Sequence, residues 1–210
     1  MFSISHPLCR ALLGATLAWA SFLPYPAAAA VAAELPVERL GVPGPLDFDE
    51  EKFVLAWSSH PSPGLYKQEY LPAGEKPEHY NSMFVLDVRL TGAEPAQMAT
   101  GMIELLKQRK QAGDPLVSHE LQISPDGRQL VLDFFLSTVD ADGQMILEWN
   151  IHRYVPNAHG QGSTLIGISR RGYGDEQIRA LLDGLKRTRQ RQLDALAAME
   201  LDVVVDSAGR

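Results

Sequence analysis

The densest group of chemically capable side chains is Asp133, Glu148, Asn150 and His152, with Glu120 nearby, all in segments of strand-like composition. Carboxylates beside a histidine could act as an acid–base pair or hold a metal ion, since both need groups fixed within a few ångströms on rigid elements. Spacing restricts the options. Glu148 and His152 are four residues apart on one strand, so their Cα atoms stand roughly 13 to 14 Å apart, too far to share a metal directly. Asp133, Asn150 and His152 become neighbours only if Phe134 faces Trp149 across the intervening turn. A hydrolase or metal-dependent enzyme would then use Asp133 with His152. A wet outer sheet face explains the same letters, so no catalytic residue, cofactor or metal site is assigned. Covalent catalysis has no visible nucleophile: no serine has a nucleophile-elbow setting, and the one cysteine, Cys9, precedes the first apolar run.

The elements that must carry these groups are read from periodicity. Strand composition marks residues 53–57, 65–71, 83–90, 116–123, 129–137, 144–155 and 163–170, separated by Pro and Gly clusters or by turns such as Ser124-Pro125-Asp126-Gly127. Pro95 starts a helix in which Met98, Ala99, Met102, Ile103, Leu105 and Leu106 recur at three and four, and Gly113 stands where a C-terminal cap belongs. A second helix runs from about Asp175 to Met199, with a stripe of Ile178, Leu181, Leu182, Leu185, Leu193 and Leu196 interrupted by Arg189. Either that helix overhangs the sheet at Arg189, the preferred reading, or the arginine reaches a carboxylate with its stem buried. The expected fold is α+β: an antiparallel meandering sheet of about seven strands packed against two main helices.

Pairing across Asp140-Ala141-Asp142-Gly143 with an even loop sets Phe134 opposite Trp149, Leu132 opposite Ile151 and Leu136 opposite Leu147. One side is then apolar and covered by both helices. The reverse side is wet and carries Asp133, Glu148, Asn150 and His152. His119 falls on the apolar side, as a core-edge histidine satisfied by a hydrogen bond.

Three further motifs need no site. The Asp-x-Asp-Gly run at Asp140–Gly143 lacks the remaining calcium ligands, and turn chemistry suffices. His159–Ser163 is glycine-rich without the Lys-Ser/Thr ending of a phosphate loop. Of Arg170 and Arg171, one can bind an anion or pair with Glu148 across the strands. The connection Pro72–Asn81 carries Glu75, Glu78, His79 and Tyr80 among Pro and Gly, and this exposed loop is the expected interaction surface.

Nineteen basic against 26 acidic side chains in 210 residues, a net charge of -7, exclude a broad attraction to nucleic acid or anionic lipid. Residues 1–33 hold a single charge, Arg10, then the apolar run Ala11–Leu23 and a string of alanines, the order of a cleavable signal peptide. A retained anchor is the alternative, since Ala11–Ala30 is long enough to span a bilayer. The organisation read from sequence is a signal peptide at 1–33, an exposed Pro/Gly/acidic lead-in at 34–51, one α+β domain at 52–200 and a tail at 201–210. The expected location is periplasmic or secreted, with no stable membrane insertion after cleavage.

The order of three strands, a helix, four strands and a helix resembles the PsbP-like α+β sandwich of photosystem extrinsic subunits and small bacterial envelope proteins. Glu69-Tyr70-Leu71-Pro72-Ala73-Gly74-Glu75 followed by Glu78-His79-Tyr80 also looks like a stretch of uncharacterised exported bacterial proteins. The resemblance covers residues 53–199 as an order of elements, and it implies a non-catalytic module that binds another protein. The functional expectation is an exported accessory or interaction protein with a protein partner in the envelope and no cofactor. The alternatives are the Asp133/His152 enzyme and a small-molecule carrier with a cavity between sheet and helices.

Overall fold

The chain folds as two runs of four antiparallel strands joined side by side. The computed structural model describes residues 35–90 and 92–205, so the apolar run and Cys9 behind the export expectation lie outside the described residues. The first run is β1 (Leu46–Phe48), β2 (Glu51–Ser62), β3 (Leu65–Pro72) and β4 (Ser82–Arg89). After α1 (Pro95–Gln111) comes the second, β5 (Ser118–Ile123), β6 (Leu130–Val139), β7 (Met145–Pro156) and β8 (Ser163–Tyr173), and α2 (Gly174–Ala198) closes the chain. The sheet has eight strands, not about seven, in the order β1-β2-β3-β4-β8-β7-β6-β5.

The additional strand comes from the lead-in, which is not an exposed segment. Leu40, Val42, Leu46 and Phe48 are buried, because they cover the β2–β3 part of one sheet face that no helix reaches. The Tyr70 hydroxyl donates to Val42 O at 2.6 Å, and Val204 of the tail donates its N–H to Leu40 O at 2.9 Å, so the tail joins the same cover. Acidic residues at the β1–β2 turn conceal this role in the sequence. Asp49 and Glu50 both take positive φ, at 48° and 70°, the conformation of a tight two-residue hairpin. Arg191 holds Asp49 at 2.6 Å, and Arg170 pairs with Glu51.

α1 forms where the periodicity places it. Pro95 opens it, and a reciprocal pair of hydrogen bonds between Glu94 and Gln97 caps it. Its buried Ala99 and Leu106 pack on Leu130, Leu132, Phe134, Tyr154 and Leu165. α2 lies on the opposite face, where Leu185, Leu193 and Leu196 meet Trp149, Ile151, Ile166, Ile168 and Phe84. The expectation of one greasy face under two helices and one wet face is therefore wrong. Both faces of the central strands are covered.

The cause is a single residue of register. Phe134 pairs with Asn150, Phe135 with Trp149 and Asp133 with Ile151, one step from the expected pairing. Asp140 N–H donates to Gln144 O at 3.0 Å and Gly143 N–H to Asp140 O at 3.1 Å, which leaves Ala141, Asp142 and Gly143 as an odd-numbered loop. Gly143 takes φ 82°, the left-handed residue that a three-residue hairpin with a bulge requires. One residue of slip sends Phe134 and Trp149 to opposite faces. Both are nonetheless buried, because each face has its own helix.

A Cβ at Gly143 would touch nothing within 4 Å, so Gly143→Ala loses stability only through its backbone, by about 1 to 2 kcal/mol. Urea denaturation should show that loss, and an unchanged midpoint would contradict the turn geometry.

Candidate functional site

α1 crosses from β4 to the far edge strand β5, packing over β5, β6 and β7. A helix is about 10 Å wide whereas eight strands span roughly 38 Å, so the β3–β4–β8 side of this face stays open. The result is a groove of about 560 Å³. Met98, Gly101, Met102 and Leu105 of α1 form one wall, Lys67, Glu69, Val85 and Asp87 the other, and Glu148, Asn150, His152 and Tyr154 of β7 run along the floor.

Three of the floor residues, Glu148, Asn150 and His152, belong to the four polar groups singled out from the sequence. Glu148 accepts from Arg171, its partner across β7–β8, and from the Tyr80 hydroxyl at 3.2 Å. The Arg171 guanidinium lies 4.0 Å from the centre of the Tyr80 ring. Burial, then the Glu148 charge, raises the Tyr80 phenol far above its ordinary pKa, so it stays a neutral donor.

The expected interaction loop thus folds inward at its end. Tyr80 is 4% exposed, and its carbonyl accepts from the Tyr173 hydroxyl at 2.9 Å. His79 stacks on the Tyr173 ring at 4.2 Å, and Glu75 accepts from the N–H groups of Asn81 and Ser82. Glu78 and His79 are exposed, so the four residues do not form one outward surface.

Asn150 is 2% exposed. The Ser169 hydroxyl donates to its Oδ1, while its Nδ2 has no partner among the described residues. His152 Nδ1 lies 3.1 Å from the Tyr154 hydroxyl, and its ring stands edge-on to Phe134. Burial first, and the Lys67 charge second, push its pKa down to about 4. At neutral pH the imidazole is uncharged. Gly167 gives the ring its space: a Cβ there would fall 3.0 Å from His152 Cδ2 and 2.8 Å from Val85 Cγ2.

Asp133 is on the other face, so it cannot act with His152. It is 3% exposed, it accepts from the Trp149 indole N–H at 2.7 Å, and Arg189 holds its second oxygen at 2.5 Å. Burial raises its carboxyl pKa despite these partners. Arg189 also bonds Glu120 at 3.0 Å, so the helix does not overhang at this turn; the arginine reaches two carboxylates across the sheet. His119 is exposed on edge strand β5, outside the core. Among the described residues, no three of His, Cys, Asp and Glu are grouped to hold a metal ion.

A second hollow, of about 660 Å³, lies beside the tail between Tyr66, Val88, Leu90 and Val203–Val205. Its histidines are engaged, His60 stacked on Tyr66 and His159 bonded to Asp202.

His152 makes stability depend on pH in a defined direction. Its folded pKa lies below the unfolded value near 6.5, so its contribution is complete above that pH and is lost as pH falls toward 4. The loss reaches about 2 to 3 kcal/mol. Denaturation of wild type and His152→Gln between pH 7 and 4 should show the variant's smaller dependence. Parallel curves would contradict a buried neutral imidazole.

Residues 40–201 match the model of an uncharacterised protein family, and the chain belongs to that family. No curated protein and no solved structure matches the chain.

Proposed function

We propose that this member of an uncharacterised family is an exported, non-catalytic binding module that holds an elongated, mainly apolar small molecule in the groove between α1 and the sheet. The single observation behind this reading is the groove itself. Its volume of about 560 Å³ is that of a small-molecule site, with an apolar wall on α1, a charged wall on the strands and a few polar groups on the floor. Leu105, 48% exposed, lines it together with Met98 and Met102, whose flexible thioethers suit an apolar guest.

Gly101 supports the same reading. Glycine inside a helix costs about 0.5 to 1 kcal/mol relative to alanine, and a Cβ here would meet nothing within 4 Å. Its missing side chain widens the groove where α1 borders it. Catalysis is disfavoured because Asp133 and His152 face opposite sides of the sheet. The charge-poor, alanine-rich segment 1–33 supports export.

A second reading, a protein partner in the envelope, rests on the PsbP-like order of elements and on the free edge of β5, where Ile123 is 59% exposed. Strand addition to that edge is how such a partner would dock.

The fluorescent probe N-phenyl-1-naphthylamine separates the two. It should bind the purified protein with micromolar affinity. Gly101→Phe should abolish that binding by filling the groove, while Gly101→Ala should retain it and raise stability by about 0.5 to 1 kcal/mol. Equal probe fluorescence with wild type and Gly101→Phe would refute the groove as a binding site.

A further inference from the structure

The groove is apolar along its α1 wall but not indifferent to the end of its occupant. Asn150 Nδ2 is a buried donor with nothing to donate to among the described residues, although leaving such a group unpaired is costly. Ser169 fixes the amide by donating to its Oδ1, and Asn150 is among the residues that line the groove. Two residues along the same strand and on the same face, His152 stands with its Cα about 7 Å away, close enough for both side chains to meet one atom. Its Nδ1 is taken by the Tyr154 hydroxyl, and its Nε2 makes no hydrogen bond among the described residues. In the tautomer whose Nδ1 accepts from the phenol, the neutral ring carries its proton on Nε2 and is a second donor.

The charges of the groove decide what those donors can receive. Lys67 is held by Asp87 at 2.7 Å, Arg89 approaches the same carboxylate at 3.8 Å, and Arg171 is paired with Glu148. Both lining cations, Lys67 and Arg89, are drawn to Asp87, and with Glu69 and Glu148 the lining acids outnumber them three to two. Glu69 borders the groove without an ion-pair partner among the described residues, and burial raises its pKa. An anionic headgroup would meet repulsion, whereas an ammonium group has no lone pair for Asn150.

Resting on the groove reading above, we propose that Asn150 and His152 recognise an uncharged carbonyl oxygen, so that the ligand is a long-chain ketone, ester or amide and not a fatty acid. The pair makes the inner floor of the groove selective, and the Met and Leu side chains of α1 take the hydrocarbon.

Displacement of N-phenyl-1-naphthylamine at pH 7 by 2-undecanone, undecanoate and undecylamine tests this with one chain length. The ketone should displace the probe about tenfold more tightly than either charged compound, the gain that two neutral hydrogen bonds supply. Asn150→Leu, close in volume, should reduce that advantage to less than about twofold. If Asn150→Leu does not fold, His152→Phe should show the same narrowing. Probe binding with equal displacement by ketone and carboxylate would overturn the carbonyl assignment while leaving the groove as a binding site. A wild-type protein that fails to bind the probe would overturn both.

Discussion

The register of the β6–β7 hairpin is the constraint on which the rest depends. A three-residue loop closed by Gly143 assigns Asp133, Trp149 and Ile151 to the α2 face and Phe134, Asn150 and His152 to the α1 face. Had the loop been even, a carboxylate and a histidine would share a surface and invite an acid–base interpretation. The odd loop separates them by the thickness of a sheet. Each then acquires neutral or paired surroundings, Asp133 beside Trp149 and Arg189, His152 beside Tyr154 and Phe134.

The two faces are closed by different means. On one, α2, the lead-in and the tail together cover the strands, and Leu40, Phe53, Phe84 and Trp149 lose all contact with water. On the other, a single helix borders the groove, and the strands beyond it carry Lys67, Glu69 and Asp87 instead of an apolar core. Half-covered sheets normally meet solvent with plain polar residues. Here Asp87 is buried, Lys67 and Glu69 are half-buried, and the methionines of α1 stand opposite them.

Much of the architecture was legible in the sequence. The Met98–Leu106 stripe, with Pro95 before it and Gly113 after it, is unambiguous at helical period, and seven of the strands stand in their expected places. β1 was not, because its three residues lie in an acidic stretch whose charges are met by Lys52 and by Arg170 and Arg191, the last two far along the chain. Hydropathy alone could not choose between an even and an odd loop, since apolar residues populate both parities of β6. The inward turn of Tyr80 depends on Arg171 and Tyr173, and nothing local announces it. The groove had two sequence signals, a glycine inside an amphipathic helix at Gly101 and another inside a strand at Gly167. At Gly167 a side chain would collide with Val85 and His152, whereas at Gly101 its absence leaves open space beside the groove.

The sheet order has a consequence for how the chain reaches its fold. β4 pairs with β8, residues 82–89 with 163–170, so the two four-strand runs are sutured only by the last strand to be made. Until then β4, with Phe84 and Leu86, presents a bare hydrogen-bonding edge. Such non-local pairing slows folding and keeps the nascent polypeptide extended for longer. A polypeptide interrupted before residue 163 would keep the bare edge permanently, and its fate would be self-association.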